Sequence, residues 1–113
     1  MFEKKHRLAK SKDVKNTLSR GRSFFNSHFS VKFAKKFEGV SRFTVVVSTK
    51  VSKKAVLRNR LKRLTREHIR LQVKNFEIGD YALMVKPVAS KCSDQELLAK
   101  LSDVLTKLIA KGV

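Results

Sequence analysis

The stretch Lys53–Arg70, KKAVLRNRLKRLTREHIR, combines two patterns that seldom occur together. Lys or Arg fills eight of its eighteen positions, and its acidic residue is Glu67. At about 100° per residue, one narrow arc collects Leu57, Leu61, Leu64, His68 and Leu71. The opposite arc collects Arg58, Asn59, Lys62, Arg63, Arg66 and Arg70. We therefore predict a helix over roughly 54–74 that buries its leucines against a sheet and turns a basic side outward.

The distribution of charge indicates a polyanionic partner. The net charge is +18, and residues 1–74 hold 22 Lys and Arg against four acids, whereas residues 75–113 hold five of each. Like charges spaced at i,i+4 along the basic helix destabilise it by about a few tenths of a kcal/mol per pair, so a ligand should offset the repulsion. Nucleic acid is the natural ligand, because phosphate contacts also release counterions. An anionic membrane surface is a weaker rival, since the helix lacks Trp or Phe anchors.

Length and composition indicate one folded domain over residues 1–113, with the first five residues expected to be loose. The chain is 42% hydrophobic and contains eight Phe, which is enough for a modest core. The single Cys92 excludes an internal disulfide and a multi-Cys zinc site. No apolar run approaches the ~20 residues of a membrane span, and the N-terminus has no apolar signal core. We expect a cytoplasmic protein.

The remaining segments predict the order α-β-β-α-β-α, an α/β (α+β) two-layer sandwich around a small sheet. Residues 11–20 form a helix that Ser11 caps and Gly21 ends. Residues 24–37 form one strand, residues 42–50 a second, and residues 80–87 a third. A final helix over 93–112 begins with a Ser93–Glu96 capping box and has an apolar stripe. The stripe consists of Leu97, Leu101, Leu105 and Leu108.

The first predicted strand alternates with period two, so its sides differ. Its apolar side consists of Phe25, Phe29, Val31, Phe33 and Phe37, and its polar side of Asn26, His28, Ser30 and Lys32. Ser48 and Lys50 extend the polar side. Such a surface beside a helix suits an extended nucleic-acid strand, although a plain solvated face is an equal alternative on these residues alone. Phe24 and Phe25 need testing as exceptions to the core, because adjacent strand residues point to opposite faces.

Catalysis by the protein's own side chains is not predicted. A metal-dependent nuclease needs clustered carboxylates, and the nine acids here are scattered. We therefore predict neither catalytic nor metal-binding residues. His68 lies on the buried arc of its helix and is interpreted as a core histidine, whereas His28 is a candidate for RNA contact. Cys92 is interpreted as an inert thiol.

The segment Ala55–Glu67, AVLRNRLKRLTRE, resembles the arginine-rich signature of the bacterial ribonuclease P protein family, A-V-x-R-N-x-x-K-R-x-x-R-E. All eight fixed positions match: Ala55, Val56, Arg58, Asn59, Lys62, Arg63, Arg66 and Glu67. The early segment HRLAKSKDVKNTLSRGRSFFNSHFSV is similar to the family's usual opening. The resemblance spans roughly residues 6–112.

The resemblance implies the small subunit of an endoribonuclease that removes the 5′ leader from precursor tRNA. In this family a large RNA subunit performs the hydrolysis with Mg²⁺, and one protein monomer assists each RNA. The implied fold has a left-handed β-α-β crossover around the basic helix. The implied contacts to the catalytic RNA are Arg58, Asn59, Lys62, Arg63 and Arg66, flanked by Arg60, placed nearer the apolar arc, and Arg70.

The resemblance also implies a cleft for the single-stranded leader, between the first helix and the sheet. Val14, Leu18 and Lys32 match family positions that are often aromatic, so leader binding here is expected to be more electrostatic. His28, Ser30, Ser48 and Lys50 complete the predicted cleft. Two rivals stay open: another protein that binds structured RNA, such as a small ribosomal protein, and a protein that reads the DNA major groove with the basic helix.

Overall fold

The computed structural model describes residues 6–8, 11–36, 39–72 and 75–111. Its elements run in the order α1 (Ser11–Arg20), β1 (Arg22–Phe25), β2 (Phe29–Lys35), β3 (Arg42–Val46), α2 (Ala55–Arg70), β4 (Gly79–Val85), a 3₁₀ helix (Pro87–Lys91) and α3 (Asp94–Lys111). The predicted α+β class is confirmed. Some predictions fall outside the part of the chain that is described. They concern residues 1–5, Phe37, Gly112, the last two residues of the predicted basic helix and the side chain of Ser11.

The four strands form one mixed sheet in the order β1-β2-β4-β3. β1 and β2 are antiparallel, as are β2 and β4. β3 and β4 are parallel neighbours, so the chain leaves the sheet after β3, forms α2 and returns as β4. The basic helix is therefore the connection of a β-α-β unit, as the resemblance implies.

One face of the sheet packs against α2 and α3. On this face the rings of Phe33, Tyr81 and Phe43 stack across three strands, with centroid separations of 4.6 Å and 4.8 Å. The predicted stripe of α3 packs here and is buried, and Val104 joins it. Aromatic stacking and aliphatic burial together fix the position of both helices on the sheet.

The other face carries α1. Arg42 donates to both carboxylate oxygens of Asp80 at 2.8 Å and approaches Asp13 of α1 at 3.3 Å, so an ion-pair cluster joins the helix to the sheet. At the end of α1 the Gly21 N–H donates to the carbonyl of Thr17. A Cβ on Gly21 would lie 2.5 Å from that oxygen, so a glycine is required at the point where α1 meets β2.

The predicted strand over 24–37 is wrong in one respect, because it is a hairpin of β1 and β2. Asn26 ends the first strand: its Oδ1 accepts the N–H groups of His28 and Phe29, at 3.0 Å and 2.9 Å. Its Nδ2 donates to the carbonyl of Lys100 in α3 at 2.7 Å. A side chain that satisfies backbone donors two and three residues on stabilises a turn without glycine.

The buried side of α2 is rotated from the predicted arc. Leu61, Thr65 and Ile69 are buried, and the Thr65 hydroxyl donates to the carbonyl of Leu61 at 2.8 Å. Leu57 and Leu64 pack at the edge of the core. Leu71 was predicted to be buried but is 73% exposed, because the helix ends at Arg70 and the chain turns away.

At the start of α3 half of the predicted capping box is present. The Glu96 N–H donates to Ser93 Oγ at 3.1 Å, whereas the Glu96 carboxylate contacts His28 Nε2. None of the helices in the described ranges combines the length and the apolarity needed to cross a bilayer.

Candidate nucleic-acid interface

The outward side of α2 forms the first candidate surface, which we call the basic face. It is a shallow depression lined by Val56, Asn59, Arg60, Arg63, Arg66 and Glu67. Asn59 and Arg63 are exposed, and Arg66 is partly exposed. The helix is held from behind by Leu61, Thr65 and Ile69, so these groups project from a rigid support.

The central cations of α2 are available to a ligand. Within the described ranges Lys62, Arg63 and Arg66 make no ion pair with the protein's own acids. Arg58 lies at the edge of the basic face, half-buried, and donates through Nη1 to the carbonyl of Ser52 at 2.8 Å. Arg58 therefore also secures the loop before α2.

Two other arginines have acidic partners at the margin of the basic face. Arg60 was predicted to lie nearer the apolar arc, but it is exposed and contacts Asp94 at 2.6 Å. Arg70 contacts Glu67 one turn earlier at 3.0 Å. All four side chains are about half exposed. Exposed pairs of this kind are worth about 0–1 kcal/mol, so they open easily for a phosphate.

The chemistry of the basic face suits structured RNA. Guanidinium groups match phosphate oxygens with two parallel N–H donors. Asn59, between Arg58 and Arg60, offers both an amide donor and an acceptor, which can contact a base edge or a 2′-hydroxyl.

The second candidate surface is the sheet face beside α1, which we call the cleft. Its strand residues are Ser30, Lys32, Thr44, Val46 and Met84. Val14 and Leu18 of α1 are half-buried beside it. Lys32 is partly exposed and donates to Ser23 Oγ on the neighbouring strand. These residues give the cleft one cation, Lys32, beside hydroxyl and aliphatic groups.

The other predicted cleft residues do not lie together in the structure. Ser48 and Lys50 follow β3 in an exposed turn, where Ser48 Oγ accepts the Lys50 N–H at 3.3 Å. His28 lies outside the cleft, which corrects the prediction: it sits in the β1–β2 turn, buried, with Nε2 3.1 Å from Glu96 of α3 and Nδ1 2.7 Å from Ser27. Asn26 likewise contacts α3 and not the cleft. Neither residue follows the predicted alternation, because both lie where the turn interrupts the strand.

Phe25 was predicted on the apolar side of its strand but lies on the cleft side and is 66% exposed. It opposes Ser30, whereas its neighbour Phe24 opposes Val31 and packs against the core. The adjacent phenylalanines already indicated that one ring would face away from the core, since two neighbouring strand residues point to opposite faces.

A set of possible metal ligands lies away from both surfaces. Ligand atoms of His28, Cys92 and Glu96 come within 4.8 Å of one another. Each has a partner already, since His28 contacts Glu96 and Cys92 donates to the carbonyl of Ala89 at 3.2 Å. Burial, followed by the nearby Glu96 charge, raises the pKa of the Cys92 thiol and favours its protonated form, which is a poor metal ligand.

His68 lies behind the basic face, between α2 and α3. Its Nε2 is 3.1 Å from the Gln72 amide nitrogen and 3.0 Å from Ser102 Oγ. Burial lowers the pKa of His68, so the neutral ring, which accepts these hydrogen bonds, is favoured. His68 was interpreted as a core histidine, but it is only half-buried and its ring contacts polar side chains.

A small α+β scaffold that presents a rigid cationic helix and a separate polar cleft has the architecture of an RNA-binding protein. Comparison with known proteins is more specific. The family model described as "Ribonuclease P" matches residues 2–109. The "Ribonuclease P protein component" of Microcystis aeruginosa is 34% identical over 107 residues, covering 90% of this chain and 89% of that protein. The protein of the same description from Exiguobacterium is 32% identical, covering 94% and 92%.

Solved structures agree with the sequence comparisons. The ribonuclease P protein of Staphylococcus aureus superimposes with a TM-score of 0.84 at 27% identity, covering 95% of this chain and 96% of that chain. The ribonuclease P protein of Thermotoga maritima gives a TM-score of 0.77 at 29% identity, covering 89% and 96%. The chain belongs to the ribonuclease P protein family.

Proposed function

We propose that this chain is the protein subunit of ribonuclease P, the endoribonuclease that removes the 5′ leader of precursor tRNA. The proposal rests on the basic face, where Lys62, Arg63 and Arg66 have no acidic partner among the described residues and the other side of α2 is buried. The RNA subunit performs the hydrolysis, and the protein contributes binding and orientation.

The basic face is the contact with the catalytic RNA. Arg63 and Arg66 each offer a guanidinium fork to a phosphate, and Lys62 adds a point charge at the edge. Arg58 and Asn59 extend this contact, and Arg60 and Arg70 join it by exchanging Asp94 and Glu67 for phosphate. Because α2 is already ordered, these groups need little rearrangement to bind.

The cleft is the contact with the single-stranded leader. Lys32 and Lys50 attract its phosphates, and Ser30 and Ser48 offer hydroxyl groups to the sugar and base edges. Val14 and Leu18 give the bases an apolar surface without an aromatic ring. One protein can therefore touch both the catalytic RNA and its substrate, since α1 and α2 lie on opposite faces of one sheet.

Mg²⁺ belongs to the RNA subunit in this proposal. Within the described ranges each acid already contacts a Lys, Arg or His side chain of the protein, as Asp13 and Asp80 contact Arg42 and Glu77 contacts Lys35. The remaining acids also have such partners: Glu67, Asp94, Glu96 and Asp103. The protein would instead lower the Mg²⁺ requirement by neutralising phosphates with its own cations. We propose one monomer per RNA, acting in the cytoplasm.

Reconstitution tests the proposed function directly. The protein is added to a bacterial ribonuclease P RNA at a Mg²⁺ concentration where the RNA alone is slow, and 5′ maturation of precursor tRNA is measured. We expect faster cleavage at the mature 5′ end, and we expect an Arg63→Ala, Arg66→Ala variant to lose most of the gain. A rate that the wild-type protein leaves unchanged would contradict the proposal.

A further inference from the structure

Among the described aromatic residues, Phe25 is the exposed one. It is 66% exposed, whereas the other rings in these ranges are buried or packed against the core. Scattered exposed apolar residues are ordinary on protein surfaces, so exposure alone carries no conclusion. The position of Phe25 and the groups around it set this residue apart.

The sheet register places Phe25 at the outer end of the cleft. Phe25 opposes Ser30, Ser30 opposes Met84, and Met84 opposes Val46, so these four form one row across the sheet. Residues paired across neighbouring strands share a face, and the row spans about 14 Å from edge to edge. α1 is joined to the opposite end of this face, where Asp13 meets Arg42. In the Phe25 row, Phe25 and Val46 are exposed, and Ser30 and Met84 are partly exposed.

The Phe25 ring lies beside a positive charge that is itself held by a hydrogen bond. Lys86 Nζ lies 5.2 Å from the ring centroid and donates to the backbone carbonyl of Asn26 at 2.7 Å. The Asn26 side chain in turn donates to the backbone carbonyl of Lys100 in α3. An ammonium group has three donors, so Lys86 keeps donors for a phosphate while it stays next to the ring.

We propose that Phe25 is a stacking platform for one base of the leader and that Lys86 contacts the adjoining phosphate. This inference rests on the proposed function, because it assumes that the leader occupies the cleft. An aromatic ring beside cations is the combination that binds single-stranded RNA with little sequence preference. The remaining cleft residues supply charge and aliphatic surface, and Phe25 supplies the ring.

Leader length provides the test, because the proposal expects only leaders long enough to reach Phe25 to gain affinity from its ring. Affinity is measured for the enzyme reconstituted with ribonuclease P RNA, using precursor tRNAs whose leaders are extended one nucleotide at a time. We expect Phe25→Ala to weaken binding by about fivefold or more once the leader reaches the ring, and to leave binding of mature tRNA unchanged. Phe25→Trp should retain the affinity, whereas Phe25→Leu, which is apolar but not aromatic, should not.

Leu71→Ala is the matched control, since Leu71 is a similarly exposed apolar residue, at 73%, far from the cleft. Its effect should not depend on leader length. The chain contains no Trp, so Phe25→Trp also introduces a single fluorophore, and stacking should quench it only with long leaders. If Phe25→Ala binds as tightly as wild type at every leader length while Lys32→Ala binds more weakly, the proposed role of Phe25 is wrong but the leader cleft stands. A wild-type enzyme indifferent to leader length would overturn the leader cleft as well.

Discussion

At the scale of single residues, small groups fix where the elements meet. Gly21 closes α1 against β2 because any Cβ would collide with backbone atoms, the Thr17 oxygen at 2.5 Å and the Phe33 nitrogen at 3.0 Å. Backbone atoms cannot move aside as a flexible side chain can. We therefore expect Gly21→Ala to destabilise the fold by about 1–3 kcal/mol, the usual cost of overpacking.

Urea unfolding monitored by circular dichroism measures this effect. Ser19→Ala, two residues earlier and exposed, is the control and should change the unfolding free energy by less than about 0.5 kcal/mol. A Gly21→Ala protein as stable as Ser19→Ala would mean that α1 does not approach β2 as closely as described.

His68 gives a pH dependence whose sign follows from its environment. Burial lowers the pKa of His68 below its ordinary value of 6.5, so the unfolded chain binds this proton more readily than the folded protein. The contribution of His68 to stability is present above pH 6.5 and is lost as the pH falls through the folded-state pKa. Between pH 8 and pH 5 the wild type should lose more stability than His68→Gln. An equal loss in both proteins would contradict the assignment.

At the scale of elements, an ion-pair cluster joins α1 to the sheet at one end of the cleft face. Asp80 is buried and receives two hydrogen bonds from Arg42, whose side chain is 25% exposed. Asp80→Asn should leave Arg42 poorly paired and cost about 1–3 kcal/mol, less than a fully buried pair because Arg42 retains some water. Thermal unfolding checks this, with Asp103→Asn, from an exposed pair, as the nearly neutral control. Similar melting temperatures for the two variants would contradict the account.

Most of the helices and strands were predictable from the sequence. Periodicity identified the three helices and the buried sides of β2, β3 and α3, because one-sided burial leaves a direct pattern. The hairpin was missed because the alternation continues through Asn26, whose turn is made by its own side chain and not by glycine. The rotation of the buried side of α2 was not predicted, because a polar residue, Thr65, occupies a core position. Its hydroxyl group donates to a backbone carbonyl within the helix and so can be buried.

The candidate site was predictable to a similar extent. The signature cations of α2 were found, because an outward arc of like charge is visible in the sequence. The salt bridge of Arg60 with Asp94 and the contact of His28 with Glu96 were not, since each joins residues far apart in the chain.

At the scale of the whole molecule, the net charge of +18 opposes compaction. We expect the melting temperature to rise as NaCl is increased, because salt screens repulsion between exposed cations within about a Debye length. Sulfate or polyphosphate should raise it further, since these anions can bind the basic face. Differential scanning calorimetry measures the shift, and a melting temperature that falls with added salt would contradict this view.

In the proposed function, the outward cations of α2 bind the catalytic RNA without stabilising the fold. The most direct measurement is the affinity of the protein for a bacterial ribonuclease P RNA over a range of salt concentrations, for wild type and for Arg63→Ala, Arg66→Ala. We predict that the variant binds more weakly, with a log–log salt slope reduced by about one per cation removed, and melts at the wild-type temperature or above. An unchanged slope together with a lower melting temperature would contradict the account.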